Sequence, residues 1–331
     1  MGYDGIRREH CDGDWLMDDE SLAERFEGNR GRLRAMAYRM LGSASDADDA
    51  VQEGWLRAAR AGADDVANLD GWLTTITSRV CLDMLRSRQA RHEQLAGGAE
   101  EEFELRLAAG VGVGSPDVGG PEQEAVLADS VGLALLVVLD RLAPAERVAF
   151  VLHDMFGVPF EEIAGITGRS SDAARQLASR ARRRVRGSAG QDGQDDIPGQ
   201  PGGGPMAARR LARQRAVAEA FIAASRAGDR DALLAVLDPD VVLHADAAAG
   251  PAGRPSELRG AAAVANGARL SAQRSRYSVL VLVDGVPGIV YAPQGKVAIV
   301  LAFSYRDDRI SGIEVIADPG RLDALELAVL G

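Results

Sequence analysis

Apolar residues recur every three to four positions through residues 19–95 and predict three amphipathic helices joined by short loops. The first helix ends at Gly42, the second begins near Ser45 and the third begins near Trp72. Cys81 falls on the apolar stripe of the third helix, which predicts a core position for its thiol. The pattern therefore predicts a helical domain at the start of the chain.

A second helical pattern occupies residues 144–186. A short helix ends at Gly168, and Ser170 or Ser171 can cap the longer helix that follows. On this longer helix the apolar residues share one face, and the opposite stripe consists of Asp172, Arg175, Gln176, Ser179, Arg180 and Arg183. A short helix, a tight turn and a second helix with a polar outer face predict a helix-turn-helix, whose second helix enters the major groove of DNA.

The charge distribution supports a local DNA contact. The whole chain of 331 residues carries a net charge of −11, but residues 144–187 hold 8 arginines against 5 acids, whereas residues 1–143 hold 15 arginines against 27 acids. A confined basic segment in an acidic protein predicts one DNA contact and other partners elsewhere. The alternative is a solvated arginine-rich face, and the glycine turn before the helix favours DNA binding over it.

Two further polar faces lie on the first three helices. The third helix is basic and follows a polar loop around Asn68, a combination that suits single-stranded DNA, although a tryptophan such as Trp72 is more often a core residue than a stacking platform. On the second helix Asp49, Gln52 and Glu53 share a face at i, i+3 and i+4. The acidic face is either a docking surface for a basic partner or an ordinary solvated surface.

The pattern changes after residue 205. Helices are predicted at about 207–226 and 260–272, with a short helix and a strand between them, and alternating β-branched segments follow. Turns are predicted at Asp284–Gly285, Gln294–Gly295 and Asp307–Asp308. Helices followed by an antiparallel meander predict an α+β domain with a curved sheet.

Two stretches without periodicity divide the chain. Residues 96–128 are rich in glycine and glutamate, and residues 188–205 are rich in glycine, proline and aspartate, as is typical of flexible linkers. The predicted domains are therefore residues 19–95, 129–187 and 206–331.

Composition excludes several classes of protein. The chain has two cysteines, no apolar run long enough to span a membrane and no signal-peptide pattern. His10 and Cys11 are a single pair in a polar tail and do not make a zinc site. The sequence predicts a cytoplasmic protein with no metal, no cofactor and no membrane contact.

The two helical domains resemble region 2 and region 4 of the sigma-70 family. DADDAVQEGWLRA resembles the region 2 helix that docks on the coiled coil of the RNA polymerase β′ subunit, and WLTTITSRVCLDMLRSR resembles the helix that contacts the melted −10 element. FVLHDMFGVPFEEIAGITGRSSDAARQLASRARRRV is similar to region 4, which reads the −35 element. A chain with only these two regions resembles the extracytoplasmic-function (ECF) class of sigma factors.

The resemblance implies three sets of contact residues. The polymerase-binding set is Asp49, Gln52 and Glu53. The −10 set is Asn68, Trp72, Arg79, Arg86 and Arg88. The −35 set is Ser171, Arg175, Gln176, Ser179, Arg180 and Arg183. The implied partners are promoter DNA and the polymerase core, through its β′ coiled coil and its β flap, and no catalytic residue is implied.

The third domain resembles the SnoaL-like branch of the NTF2-like superfamily, a cone-shaped α+β fold. Its opening segment GDRDALLAVLDPDVVLHAD carries the resemblance, and the combination with sigma regions resembles the SigJ-like type of ECF sigma factor. The resemblance implies regulation of the sigma domains in cis, with contacts at Asp246 and at Asp318, Pro319 and Leu322.

Two other functions remain open at this point. SnoaL-like relatives include enzymes, and His244 and Asp246 lie two residues apart on a predicted strand, as an acid–base pair could. A DNA-binding regulator with a ligand-binding or catalytic C-terminal domain (an isomerase or hydrolase) is therefore the main alternative. An ordinary helix-turn-helix repressor leaves residues 45–91 without a role.

Overall fold

The computed structural model describes residues 14–63, 66–95, 130–187, 205–270 and 277–330. Both predicted linkers, 96–128 and 188–205, lie outside these residues apart from Pro205. The chain forms two compact units, residues 1–89 with 151–174 and residues 90–150 with 175–331. The segment 130–187 therefore contributes to both units.

The described residues between 14 and 95 form three helices, as predicted: α1 (Asp14–Leu41), α2 (Ala44–Ala61) and α3 (Leu69–Leu95). Gly42 ends α1 with a positive φ of 75°, and the Ser43 hydroxyl accepts a hydrogen bond from the Asp46 amide at the start of α2. Asn68 caps α3, because its side-chain oxygen accepts from the Gly71 amide over 3.0 Å. The loop residues thus define where each helix begins and ends.

The core of the helical unit forms where the three helices approach each other. Its largest side chains, all almost fully buried, are Leu33, Met36, Met40, Leu73 and Leu82. Cys81 is also buried, as predicted. Gly54 on α2 allows close approach to α3, because a Cβ there would lie 2.9 Å from the Thr77 hydroxyl.

Residues 130–187 form four α-helices: α4 (Ser130–Asp140), α5 (Pro144–Phe150), α6 (Phe160–Thr167) and α7 (Ser171–Arg186). One turn of π-helix, Val151–Met155, continues α5. Gly168 ends α6 in the left-handed region with a φ of 69°, and Ser170 accepts from the Ala173 amide over 3.2 Å at the start of α7. The short helix, glycine turn and capped helix are those of the predicted helix-turn-helix.

The described residues from 205 to 330 form four α-helices and seven strands. The helices are α8 (Pro205–Ala227), α9 (Arg230–Val236), α10 (Ala261–Leu270) and α11 (Pro319–Ala324). The strands are β1 (Leu237–Ala245), β2 (Ser256–Arg259), β3 (Ser278–Val283), β4 (Val286–Tyr291), β5 (Ile299–Arg306), β6 (Arg309–Ile316) and β7 (Leu327–Ala328). Their order in the sheet is β2-β1-β6-β5-β4-β3-β7.

The sheet is mixed rather than an antiparallel meander throughout. Strands β3 to β6 pair antiparallel as predicted, and the turns at Asp284–Gly285 and Asp307–Asp308 have positive φ at both residues. However, β1 pairs parallel to β6, because the chain between them crosses back over the sheet through α10. The short strands β2 and β7 were not predicted, since neither has enough alternating residues to show a period of two.

Helices α8, α9 and α10 share one apolar core with the sheet. Phe221 on α8 meets Phe303 on β5 edge-on at a ring distance of 5.3 Å, and Leu233, Leu237 and Val264 are fully buried beside them. These side chains form a core between the helices and the sheet. This arrangement confirms the predicted α+β cone domain after two helical regions.

Tyr305 supports a test of this core. Its hydroxyl donates to the Pro287 carbonyl over 2.7 Å, and burial raises the pKa of the phenol above its ordinary value near 10. A raised folded-state pKa means that the neutral phenol stabilises the fold fully below about pH 10, and that this contribution is lost as the pH rises through the folded-state pKa.

We expect Tyr305→Phe to lower the free energy of unfolding by about 1 kcal/mol at pH 7 and to reduce the fall in stability above about pH 10. Urea unfolding monitored between pH 7 and pH 11 measures both effects. Tyr38→Phe is the comparison: burial also raises the pKa of Tyr38, but this phenol lies in the other unit, so its substitution should leave the alkaline fall in stability of the C-terminal domain unchanged. An identical alkaline slope in the wild type and in Tyr305→Phe contradicts the prediction.

Candidate nucleic-acid interface

Helix α7 separates its two faces completely. Ala174, Leu177, Ala178, Ala181 and Val185 are buried, and the opposite stripe, Arg175, Gln176, Ser179, Arg180 and Arg183, is exposed. Ser171 is half-buried at the first turn. The apolar face packs the helix against the protein. The polar stripe is therefore available to contact the major groove of a DNA duplex.

A buried carboxylate lies behind this helix. Glu146 on α5 has a side chain only 7% exposed, and its Oε2 accepts from Arg184 over 2.8 Å. Its Oε1 lies 3.4 Å from Nε of Arg180, one turn earlier on α7. Sequence reasoning missed Glu146, because an acid in the first turn of a short helix has the pattern of a solvated residue.

The next residue on α5 is also buried and charged. Arg147 is 3% exposed and donates to the Asp140 carboxylate over 3.0 Å. Two consecutive buried charges, each with an opposite charge, satisfy the requirement that ions removed from water be paired. Charge pairs as well as apolar packing therefore fix how α5 packs against α7 and against the end of α4.

The predicted −10 residues have different environments on α3. Asn68 is exposed at the helix N-terminus, Trp72 is half-buried and Arg86 is exposed. Arg79 donates to the Gly165 carbonyl over 3.0 Å. Arg88 pairs with Asp46 and donates to the Leu41 carbonyl over 3.1 Å, so its guanidinium connects α3 to the preceding helices.

The acidic face of α2 also has two kinds of residue. Asp49 and Gln52 are exposed. Glu53 accepts from Arg57 over 2.8 Å, and this hydrogen bond raises the pKa of Arg57, which also lies 3.5 Å from Asp83. Asp49 and Gln52 are thus presented to solvent, whereas Glu53 is engaged within the helical unit.

Asp246, predicted as a contact to the sigma domains, is bound within the C-terminal domain itself. Its carboxylate accepts from the amides of Ala317 and Asp318 over 2.9 and 3.0 Å and from that of Ala249 over 2.9 Å. It therefore joins the end of β1 to the start of α11. Asp318 caps α11 through the Arg321 amide, Pro319 is exposed and Leu322 is buried.

His244 and Asp246 have different partners in the structure. The His244 ring is 57% exposed and its Nδ1 lies 3.3 Å from Glu257, its partner across the β1–β2 pairing. The two residues line one open cleft with Glu257, Glu314 and Arg321. Glu314 accepts from Arg321 over 2.9 Å, so the carboxylates of the cleft are already engaged.

Within the second unit, helix α4 packs against the C-terminal domain. Leu133, Ala134, Leu136, Val137, Val138 and Leu139 are at most 4% exposed. Strand β3 and the turn Pro293–Gly295 contact this helix, and Arg141 pairs with Asp323 on α11 over 3.0 Å. The amide of Val329, just after β7, donates to the Val185 carbonyl at the end of α7 over 2.8 Å.

Comparison with known proteins agrees with these arrangements. The Sigma-70 region 2 family matches residues 25–91, and the Sigma-70 region 4 family matches residues 132–185. These matches place sigma-70 region 2 in the first three helices and region 4 around the helix-turn-helix.

Whole-chain relatives refine the class. The chain is 34% identical to the probable ECF RNA polymerase sigma factor SigI of Mycobacterium tuberculosis over 316 residues, which is 96% of this chain and all of that protein. It is 40% identical to SigJ of the same organism over 221 residues, 67% of this chain and 64% of SigJ. A crystal structure of SigJ covers 91% of this chain and 98% of its own, with 31% identity and a TM-score of 0.41. The chain belongs to the ECF RNA polymerase sigma factors.

Across the ranges that the structure describes, no helix has the length and apolar character needed to cross a membrane.

The different environments of His244 and Asp246 predict different costs of substitution. We expect Asp246→Ala to destabilise the C-terminal domain by roughly 2–4 kcal/mol, because three backbone amides lose a charged acceptor. His244→Ala, at an exposed position, is the control and should change stability by less than about 0.5 kcal/mol. Thermal unfolding followed by circular dichroism measures both, and equal effects of the two variants contradict this assignment.

Proposed function

We propose that this protein binds the RNA polymerase core and directs it to promoters, reading the −10 element with α3 and the −35 element with α7. The observation that carries the proposal is the presence in one chain of both sigma-70 regions, with the polar stripe of α7 exposed. Its role is recognition, and it performs no reaction of its own.

In the proposed −35 contact, α7 lies in the major groove. Arg175, Gln176 and Arg180 on the exposed stripe have the donors that base edges accept. Ser171, Ser179 and Arg183 would complete the contact with bases and phosphates. The buried apolar face supports this proposal, since it leaves the stripe as the side of α7 that a duplex can reach.

In the proposed −10 contact, the N-terminal part of α3 meets single-stranded DNA. Trp72 can stack on a base, and Asn68 can hydrogen-bond to it. Arg86 is exposed and suits a phosphate. Arg79 would have to give up its hydrogen bond to Gly165, and Arg88 its pairing with Asp46, so both fit a structural role better than a DNA contact.

The proposed polymerase contacts use both sigma regions. Asp49 and Gln52 form the exposed part of the acidic face on α2 and would meet the β′ coiled coil, with Glu53 at its edge. Region 4 would meet the β flap. Charge complementarity at such a surface contributes mainly to association rate and orientation.

We propose further that the C-terminal domain regulates the sigma regions in cis through region 4. The support is the packing of β3 on α4, the Arg141–Asp323 pair and the hydrogen bond from Val329 to Val185. The resemblance implied contacts at Asp246, Asp318, Pro319 and Leu322. Asp246 and Asp318 accept hydrogen bonds within the C-terminal domain, whereas the neighbouring Asp323 pairs with Arg141, just after α4. A tethered domain needs only weak contacts to stay docked.

Polymerase docking can be tested with Asp49→Ala combined with Gln52→Ala. We expect weaker binding to purified core polymerase and a proportional loss of run-off transcript, because a charge and a hydrogen-bonding group leave the interface. Glu27→Ala is the control, since Glu27 is an exposed acid on α1 that pairs with Arg30. Unchanged polymerase affinity in the double variant would remove this face from the interface.

The cis contact can be tested by charge exchange at Arg141 and Asp323. Arg141→Asp alone places two carboxylates together and should lower transcript yield about two- to fivefold, as expected for a surface ion pair of up to about 1 kcal/mol, because α4 loses part of its cover. Arg141→Asp with Asp323→Arg should restore the yield. A single variant that raises transcription would show that the contact inhibits instead.

A further inference from the structure

The carboxylate of Glu146 contacts two arginines of the helix that we propose as the −35 reader. Arg180 and Arg184 lie on successive turns of α7, and each approaches a different oxygen of the same carboxylate. Their side chains remain 50% and 56% exposed, whereas that of Glu146 is 7% exposed. The arginines therefore each have one side held by the protein and another side open to solvent.

This geometry leaves the DNA-facing donors in place. A guanidinium has five N–H donors, and an end-on bidentate contact with guanine uses the two Nη groups. Arg180 approaches Glu146 through Nε, which lies on the edge of the guanidinium. Arg184 donates to Glu146 from Nη1. The two arginines carry two positive charges, and the carboxylate carries one negative charge. The cluster keeps a net positive charge toward solvent.

A held arginine binds DNA differently from a free one. A long side chain loses rotamer freedom when it is fixed on a base or phosphate, and this loss opposes binding. A buried carboxylate that restricts the side chain beforehand lowers that loss and aims the guanidinium. Side-chain restriction of this kind acts on affinity and on base discrimination together.

We infer that Glu146 is a positioning residue for promoter recognition, which holds Arg180 for a base contact and Arg184 for a phosphate contact. The inference rests on the proposed −35 role of α7. Arg180 belongs to the exposed polar stripe, whereas Arg184 lies beside it. Loss of Glu146 therefore reduces sequence discrimination through Arg180 and general affinity through Arg184.

Glu146→Gln tests the inference, because glutamine keeps the shape and an acceptor but removes the charge. The probe is a −35 duplex selected by the wild-type holoenzyme from a randomised library, with a scrambled duplex of the same composition. In holoenzyme with core polymerase, we expect affinity for the selected duplex to fall about tenfold, or about 1.4 kcal/mol. The ratio of selected to scrambled binding should fall as well.

The decisive comparison is a double-mutant cycle. In a chain with Arg180→Ala and Arg184→Ala, adding Glu146→Gln should change neither affinity nor discrimination, because the carboxylate then has nothing to position. Asp140→Asn is the matched control, since it removes the charge of the acid that pairs with Arg147 on α5 rather than with α7. This control should leave discrimination unchanged.

Four results would overturn the inference. Tighter binding of Glu146→Gln to both duplexes would mean that the carboxylate withholds the arginines from DNA. An equal loss with and without the two arginines would mean that Glu146 acts on the fold alone. If Arg180→Ala and Arg184→Ala leave binding unchanged, the −35 role of these arginines is wrong, and the inference fails with it. A loss in those variants but not in Glu146→Gln would overturn the inference only.

Discussion

The burial of α4 is the constraint on which the second unit depends. This helix has apolar residues on every side, from Leu133 to Leu139, and a helix of that kind is stable in water only when other elements cover it all round. Part of its cover is β3 and the turn Pro293–Gly295 of the C-terminal domain. Region 4 is therefore packed against the domain that we propose as its regulator.

The same unit contains charged side chains that are buried. Glu146 and Arg147 are consecutive on α5, and each has an opposite charge close by. Buried pairs of this kind contribute little net stability compared with apolar side chains, but breaking one is costly. These pairs orient side chains and helices, because Glu146 contacts two arginines on α7 and Arg147 connects α5 to the end of α4.

Pairing within the protein distinguishes the residues that hold the fold together from the exposed residues that can contact a partner. Asp49, Gln52 and Arg86 are exposed, whereas Glu53, Arg88 and Asp246 are paired within their own domains. On α2 and α3 the two sets share composition and helical spacing, and Asp246 was assigned its role by the family resemblance, so neither signal could separate exposed residues from paired ones. The difference lies in partners that are distant along the chain, such as Asp46 for Arg88 and the Ala317 amide for Asp246.

The sequence by itself determined the helices other than α11, the glycine turn at Gly168, the two faces of α7 and the four-strand meander, because these depend on periodicity and on turn residues within a short stretch. Only the tertiary structure decided the parallel pairing of β1 with β6, the clamp of Glu146 on Arg180 and Arg184, and the cover of α4. Each of these joins residues far apart in the chain, and local spacing carries no information about which distant group completes a contact.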